Sequence, residues 1–398
     1  MHLVVISHKT CWKSASSPSG YVTDGGFPLQ MRAISDLFTS TQLVLPCQKD
    51  SSKEGTSTLA GNNLRVMPLS VPRGSGIQRK INMLGWVVKN GPIIWRSVRR
   101  ADAVHTPIPG DVGTVGMIFA LILRKRLFVR HCGNWMAPTT AAERFWKWSM
   151  ERFAGSRNVM LATGGASFPP SVRNANVKWI FSTSIRGDQI ATQKPRTLPA
   201  DDRLKIIIAC RLEEKKGVDL VIQSMPLILA TFPEASLDIV GGGSMLEKLK
   251  AQAISLGVEH RVAFHGKVNQ ADVLTLLKKA HLFCYPTSAS EGFPKVVLEA
   301  LAAGLPVITT KVSVLPELIG SGCGIVLDEA TTTAIMAAVK EICSNNSNYT
   351  QMSSKAIKTA EQYTLEKWQD FIGDTLREAW GADSLVRDVS YMQHQEQL

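Results

Sequence analysis

The stretch Leu282-Phe283-Cys284-Tyr285-Pro286-Thr287-Ser288-Ala289-Ser290-Glu291-Gly292-Phe293-Pro294-Lys295-Val296-Val297-Leu298-Glu299-Ala300-Leu301-Ala302-Ala303-Gly304-Leu305-Pro306-Val307-Ile308 carries a complete strand–loop–helix–strand pattern. Leu282–Tyr285 is a short apolar run of the kind buried in a parallel sheet, and Pro286 closes it. Pro294 suits the first turn of a helix, where its missing N–H costs nothing. Val296–Ala303 then reads as that helix and Pro306–Thr310 as the next strand. Glu291 falls on the loop and Glu299 about one turn inside the helix. Either glutamate alone has an ordinary explanation, as a loop residue or a solvated helix position. For Glu299 that explanation is weaker, because Val296, Val297, Leu298, Ala300 and Leu301 surround it. The helix start also offers free backbone N–H groups and a positive dipole end to an anionic ligand.

Working outward, the same alternation of apolar runs and helical patterns fills the chain. Strands are expected at His2–Ser7, Gln42–Pro46, Ala103–His105, Arg126–Arg130 and Asn158–Ala162. Further on they are expected at Lys205–Cys210, Ser236–Val240, Val262–His265 and Gly324–Val326. Ser14–Gly26 and the Ser-, Lys- and Gly-rich residues 50–64 read as loops. Asp188–Arg203 is polar, holds Pro195 and Pro199 and lacks apolar periodicity, which marks a linker over 188–203. The expectation is an α/β chain of two doubly wound parallel-sheet domains, 1–187 and 204–367, facing a central cleft. Ligands of such sheets bind in loops beyond the carboxyl ends of the strands.

Composition narrows the partners. With 44% hydrophobic and 20% charged residues, the 398-residue chain is ordinary globular material and neither disordered nor fibrous. No apolar stretch approaches the ~20 residues of a membrane span. The start, Met1-His2-Leu3-Val4-Val5-Ile6-Ser7, lacks a basic region and reads as a strand rather than a signal peptide. Seven scattered cysteines without a C-x-x-C pair fit the reducing cytosol better than a disulfide framework or zinc site. The formal net charge of +12 is unevenly placed. Residues 1–190 hold 24 Lys and Arg against 9 Asp and Glu, a net of +15, and the remainder nets −3. In the basic half, cations alternate with large apolar residues, as in Arg79–Lys89, Ile93–Arg100 and Arg144–Phe153. That pattern suits an anionic membrane surface, where each nearby Lys or Arg contributes on the order of 1 kcal/mol. An ordinary helix with one core face has the same periodicity, and the sequence does not separate the two. No nucleic-acid-binding module accompanies the charge.

Glu291 and Glu299 enclose seven residues, and the stretch resembles the E-x7-E motif of the retaining glycosyltransferases of family four, which have the GT-B fold. Cys210-Arg211-Leu212-Glu213-Glu214-Lys215-Lys216-Gly217 is similar to the family's G-R-L-x-x-x-K-G segment, with Cys210 in place of the usual glycine. Leu237–Ser244 resembles its glycine-rich strand-to-helix loop, and Val262–Val268 its V-x-F-x-G-x-V strand. The resemblance covers about residues 205–330. It implies that Glu299 accepts hydrogen bonds from ribose hydroxyls and that Glu291 acts on donor-sugar hydroxyls as a catalytic residue. It further implies that Gly243 and the Gly292, Phe293 and Pro294 backbone line the donor, with Arg211 and Lys216 holding the diphosphate. As plain residue types, an Arg fork and a Lys point charge do suit that anion. The chain contains no D-x-D sequence, so no cofactor and no metal are expected.

In the first half, Asp24-Gly25-Gly26-Phe27-Pro28 reads either as a flexible turn or as a backbone approach to a ligand, and Gly25 and Gly26 resemble the family's diphosphate-facing glycine pair. Arg130-His131-Cys132-Gly133 places His131 where the family has a catalytic or sugar-contacting histidine; His105 is the competitor. His131 is preferred because Arg130 and Gly133 suit an open loop. By the same resemblance, 1–187 would bind the acceptor, 204–367 the nucleotide-sugar, and a helix over about 368–382 would cross back to the first domain, leaving 383–398 as a polar tail. The expected activity is a cytosolic, metal-independent, retaining hexosyltransferase acting in exopolysaccharide, capsule or lipopolysaccharide assembly. It would use a UDP-, GDP- or similar donor and a glycan or polyprenyl-diphosphate-linked acceptor, and would sit on the inner membrane surface. A nucleotide-sugar epimerase of the same fold and a non-catalytic nucleotide-sugar-binding subunit are the competing readings.

Overall fold

His2–Ile6 is apolar at every position after the histidine, which suits a strand covered on both faces, and runs of this kind recur through the chain. A computed structural model describes residues 1–48, 57–74, 76–138, 140–166, 168–199, 203–290 and 292–386. The chain divides into two units. The first is Met1–Phe181 with the chain from Leu365 onward, and the second is Ser182–Thr364.

The strands of the first unit are β1 (His2–Ile6), β2 (Cys11–Lys13), β3 (Tyr21–Thr23), β4 (Ser40–Gln48), β5 (Ser57–Thr58), β6 (Leu64–Leu69), β7 (Ala103–Ile108), β8 (Arg126–His131), β9 (Asn158–Thr163) and β10 (Val177–Ile180). Seven of them form one parallel array in the order β6-β4-β1-β7-β8-β9-β10. β2 pairs with the end of β4, β3 pairs antiparallel with β2 and β5 antiparallel with β3, so the expected Ser14–Gly26 loop contains a strand. The expected loop over 50–64 is likewise broken by β5; its residues 50–56 lie outside the described residues.

In the second unit β11 (Lys205–Ala209), β12 (Ser236–Val240), β13 (Val262–Gly266), β14 (Leu282–Tyr285), β15 (Val307–Thr310) and β16 (Gly324–Leu327) are all parallel, in the order β13-β12-β11-β14-β15-β16. Both sheets thus start in the middle, grow to one side and then switch to the other, the doubly wound pattern.

The expected linker over 188–203 is not one. Gly187–Ala191 is helical, and the Arg196 guanidinium donates to the carbonyls of Leu277 (3.3 Å) and Lys278 (2.8 Å). The Arg196 N–H donates to Ser353 Oγ at 2.9 Å. A stretch without apolar periodicity is thus fastened to the second unit by polar anchors, and the chain changes unit between Phe181 and Ser182. Residues 200–202 lie outside the described residues.

The return to the first unit begins at Leu365 rather than about 368. Helix Leu365–Trp380 buries Leu365, Trp368, Ile372, Leu376 and Trp380, one stripe at helical spacing, in the core that holds Ile34, Leu37 and Phe38. The Arg130 guanidinium, itself buried, lies 4.8 Å from the Trp368 ring centroid. The polar tail starts later than 383, because Leu385 is buried in the same core and the Val386 N–H donates to the Leu37 carbonyl. Residues 387–398 lie outside the described residues.

Trp368→Ala removes a fully buried indole and the partner of a buried cation. The variant should lose about 3–5 kcal/mol of stability, read as a lower urea midpoint. A midpoint within experimental error of the parent would mean that the return helix is not integral to the first unit.

Candidate functional site

Because connections between parallel strands are right-handed, β11 and β14 feed helices on opposite faces of the sheet, and a crevice opens between the loops that follow them. Those loops are stitched together. The Lys215 carbonyl accepts from the N–H groups of Ser288 (2.9 Å) and Ala289 (3.2 Å) and from Thr287 Oγ1 (3.0 Å). Gly217 ends the first loop at φ +70°, where a Cβ would collide with the Pro286 carbonyl. The loop after β12 joins them: the Leu212 N–H donates to the Gly242 carbonyl at 3.1 Å, and the Met245 N–H to Leu212 at 3.1 Å. Gly241, at φ +137°, passes so close to the Cys210 carbonyl that no side chain fits there. Gly243 faces the Leu212 carbonyl in the same way, so its part is to let two loops touch.

These loops enclose a cavity of about 450 Å³, lined by Cys210, Arg211, Gly241, Gly242, Lys267 and Glu299 among others. Glu299 sits in the second turn of helix Lys295–Ala302 and is 8% exposed. Its Oε1 accepts from Gln270 Nε2 (2.8 Å) and Ser184 Oγ (3.3 Å), and Gln270 also donates to Ser184 at 2.9 Å. Burial pushes the Glu299 carboxyl up from its ordinary value, opposed by the Gln270 hydrogen bond, the charge of Lys295 and the Ser184 hydrogen bond. Lys216 is not a surface cation: it is 3% exposed, and its Nζ donates to the Tyr285 hydroxyl at 3.2 Å. Arg211 is exposed and pairs with Glu213 at 2.9 Å. Phe293 is buried with its ring 5.8 Å from that of Tyr363, Pro294 caps the helix start, and Gly292 lies half-buried beside them. Glu291 lies outside the described residues. The second unit therefore brings Arg211, Lys216, Gly243, Gly292, Phe293, Pro294 and Glu299 onto one edge of its sheet.

Gln270, Ser184 and Lys267 escaped the sequence reading. Gln270 and Ser184 are remote from Glu299 in sequence, so no local spacing could have found them. Lys267 lies inside the Val262–Val268 segment and could have been read from it. Among the described residues no three His, Cys, Asp or Glu side chains converge as a metal site would require.

In the first unit His131 ends β8 and is 1% exposed, its ring edge-on to Trp135 at 5.4 Å. Its Nδ1 has no hydrogen-bond partner among the described residues. His105 is also fully buried, but it is stacked on Phe128 at 4.2 Å with Nδ1 at the Phe128 carbonyl, the environment of a core histidine. The reason for preferring His131 needs correction: Arg130 does not face an open loop but lies under the return helix against Trp368. Gly25 is exposed with open space around it, and Gly26 is the N-cap of helix Phe27–Asp36. Asp24 beside them pairs with Lys9.

Residues 189–359 match the family model described as glycosyl transferases group 1. Over 141 residues the chain is 36% identical to an uncharacterized glycosyltransferase of Methanocaldococcus jannaschii, covering 35% of this chain and 36% of that protein. Over 175 residues it is 30% identical to the GDP-mannose-dependent alpha-(1-6)-phosphatidylinositol monomannoside mannosyltransferase of Mycolicibacterium smegmatis, covering 42% and 45%. The matched region thus spans less than half the length of these two relatives. A solved structure of Anabaena HepE in complex with UDP and glucose has a TM-score of 0.68 to this chain at 18% identity, covering 95% of this chain and 100% of that one. The two parallel-sheet units are those of the GT-B fold.

Burial pushes the His131 imidazole down to about 4 from the ordinary 6.5, against the raising effect of Glu143. The unfolded chain therefore takes up this proton first on acidification. The stability His131 contributes is complete above pH 6.5 and is lost as the pH falls to about 4. Urea titrations across that window should show His131→Asn with a flatter acid loss than the parent, by on the order of 3 kcal/mol. Identical slopes in the two proteins would show that His131 is not held neutral by the fold.

Proposed function

We propose that this chain is a retaining glycosyltransferase that moves a hexose-type sugar from a nucleotide-sugar to a carbohydrate or lipid-linked acceptor in cell-surface polysaccharide assembly. The observation that carries the reading is the cavity at the carboxyl edge of the β11–β16 sheet, with Glu299 held at its wall by Gln270 and Ser184. A carboxylate with one oxygen already fixed presents the other to a pair of vicinal hydroxyls, and the ribose of a nucleotide carries such a pair. UDP- and GDP-linked donors are the class proposed, in keeping with UDP bound by the Anabaena structure and GDP-mannose used by the mycobacterial relative.

Cleavage of the donor transfers negative charge to the diphosphate. Arg211 at the cavity wall, the buried Lys216 on the same loop and the N-terminus of helix Lys295–Ala302 are the groups assigned to receive it, without a divalent ion. Lys216 is fixed by Tyr285, so its charge needs little reorganisation as the bond breaks. Arg211 can exchange Glu213 for the anion. Charge-assisted hydrogen bonds of this type are worth ~1.5–3 kcal/mol each. The Gly292, Phe293 and Pro294 backbone would line the sugar, with Glu291 acting on its hydroxyls. Gly25, Gly26 and the neutral His131 would complete the reaction from the first unit, which would hold the acceptor.

A panel of nucleotide-sugars screened by thermal shift tests the donor assignment. The matching donor at one hundred times its Kd should stabilise the protein by ~2.7 kcal/mol. Lys216→Met should weaken that binding by about ten- to a hundredfold. If no nucleotide-sugar raises the melting temperature, or Lys216→Met binds as tightly as the parent, the donor site is misassigned. Turnover should persist in excess chelator; a complete loss reversed by magnesium would overturn the metal-independent chemistry.

A further inference from the structure

We propose that the helices of the first unit that follow β6, β7 and β8 form a docking face for an anionic lipid bilayer, with an acyl chain seated in the groove between their first turns. These helices are Gly76–Arg100, Asp111–Ile122 and Ala141–Phe153. The proposal deepens the lipid-linked acceptor reading above and is independent of the donor site.

The first observation is apolar exposure that the fold does not need. On a helix of 3.6 residues per turn Ile81, Leu84 and Val88 share one face, and they are 65%, 74% and 79% exposed. Phe145 and Trp148 of the third helix are 43% and 50% exposed. The rings of Phe145, Trp148 and Phe153 form a ladder with centroids 6.0 and 6.3 Å apart. Between these helices runs a groove of about 530 Å³, walled by Met83, Leu84, Val87, Val115, Phe145 and Trp146. Contiguous apolar surface on this scale marks an interaction site.

The second observation is charge, and it selects the partner. Residues 55–101 contain eight Lys and Arg and no Asp or Glu. The acids of the other two helices are engaged locally. Asp111 pairs with Arg79 at 2.7 Å, Glu143 closes a capping box with Thr140, and Glu151 accepts from Ser171 at 2.9 Å. Lys80 and Lys89 flank the apolar stripe of the first helix, and Arg144 and Arg152 are exposed on the third. Apolar side chains with an aromatic ladder, bordered by uncompensated cations, match an acyl interior beneath anionic headgroups. No helix among the described residues is long and apolar enough to cross a membrane, so the face would lie on the surface.

The position has a consequence for function. Each helix follows a parallel strand, so its first turn sits at the carboxyl edge of the sheet, the edge where His131 ends β8. A lipid tail in the groove would bring its headgroup to that edge.

The experiment is flotation of the full chain with vesicles of phosphatidylcholine alone or mixed with phosphatidylglycerol. Binding is expected to the mixed vesicles only, and to weaken as salt is raised from about 0.1 to about 0.5 M. Lys80→Ala with Arg144→Ala should weaken it on the order of thirtyfold, at ~1 kcal/mol per cation. Leu84→Ser with Trp148→Ser should also release the protein while leaving its melting temperature and nucleotide-sugar shift unchanged. Val88→Ser is the substitute should that double variant fail to fold. Equal binding to uncharged vesicles, no vesicle binding, or full binding by the charge variant overturns the proposal. So does a dimer in solution that Leu84→Ser dissociates, because the face would then serve a second copy of the chain. Vesicle binding without any nucleotide-sugar shift would sink the donor reading and leave the docking face standing.

Discussion

The candidate donor site depends on one carbonyl oxygen. β11 and β14 are neighbours whose chains depart to opposite faces of the sheet, so nothing in the ladder holds their following loops together. The Lys215 carbonyl does so, accepting two N–H groups and two hydroxyls from Thr287–Ala289. With that latch closed, Lys216 is directed inward onto Tyr285, Gly217 passes beneath Pro286, and the helix that carries Glu299 starts from a fixed point. Each of these placements is a geometric consequence of a backbone contact rather than of the functional side chain's own preferences. That is how a site built from loops keeps the precision that ligand recognition requires.

Much of this was legible in the sequence, for identifiable reasons. Parallel strands buried on both faces are continuous apolar runs, and β12 and β14 fall where those runs predict. The Gly-rich loop after β12 could be read because Gly241 must adopt a backbone conformation that other residues avoid. The segments that were missed lack such signals. β2, β3 and β5 have two or three residues each, too short to show a period. The stretch around Arg196 looked like a linker because its attachment is made of polar groups reaching remote carbonyls, and no local pattern records those. Gln270 and Ser184 were invisible for the same reason: they meet Glu299 only once the sheet has formed.

His131 shows a different limit. The sequence placed it at a strand end, which is right, but inferred openness from the cation before it. Arg130 is instead buried beneath Trp368, a residue that returns from the far end of the chain. A cation in such a position reads as solvated from its neighbours and as structural from the fold. The same caution applies in reverse to the net charge of the first half. Arg130 contributes to the +15 without adding to any surface, whereas Lys80, Lys89, Arg144 and Arg152 are exposed.

Glu299 finally bears on why the candidate site holds a buried acid at all. Enclosing a carboxylate costs stability unless it is paired, and the closest hydrogen-bond partners of Glu299 are an amide and a hydroxyl. A fold selected for stability alone would place an apolar side chain of similar volume there. A carboxyl held at a cavity wall by an amide and a hydroxyl is oriented without being neutralised and keeps acceptor capacity for a ligand that donates hydrogen bonds. In the nucleotide-sugar reading proposed above, the ribose hydroxyls would supply those donors. On that reading, the stability that burying Glu299 costs would be recovered on binding, when its remaining acceptor capacity is filled.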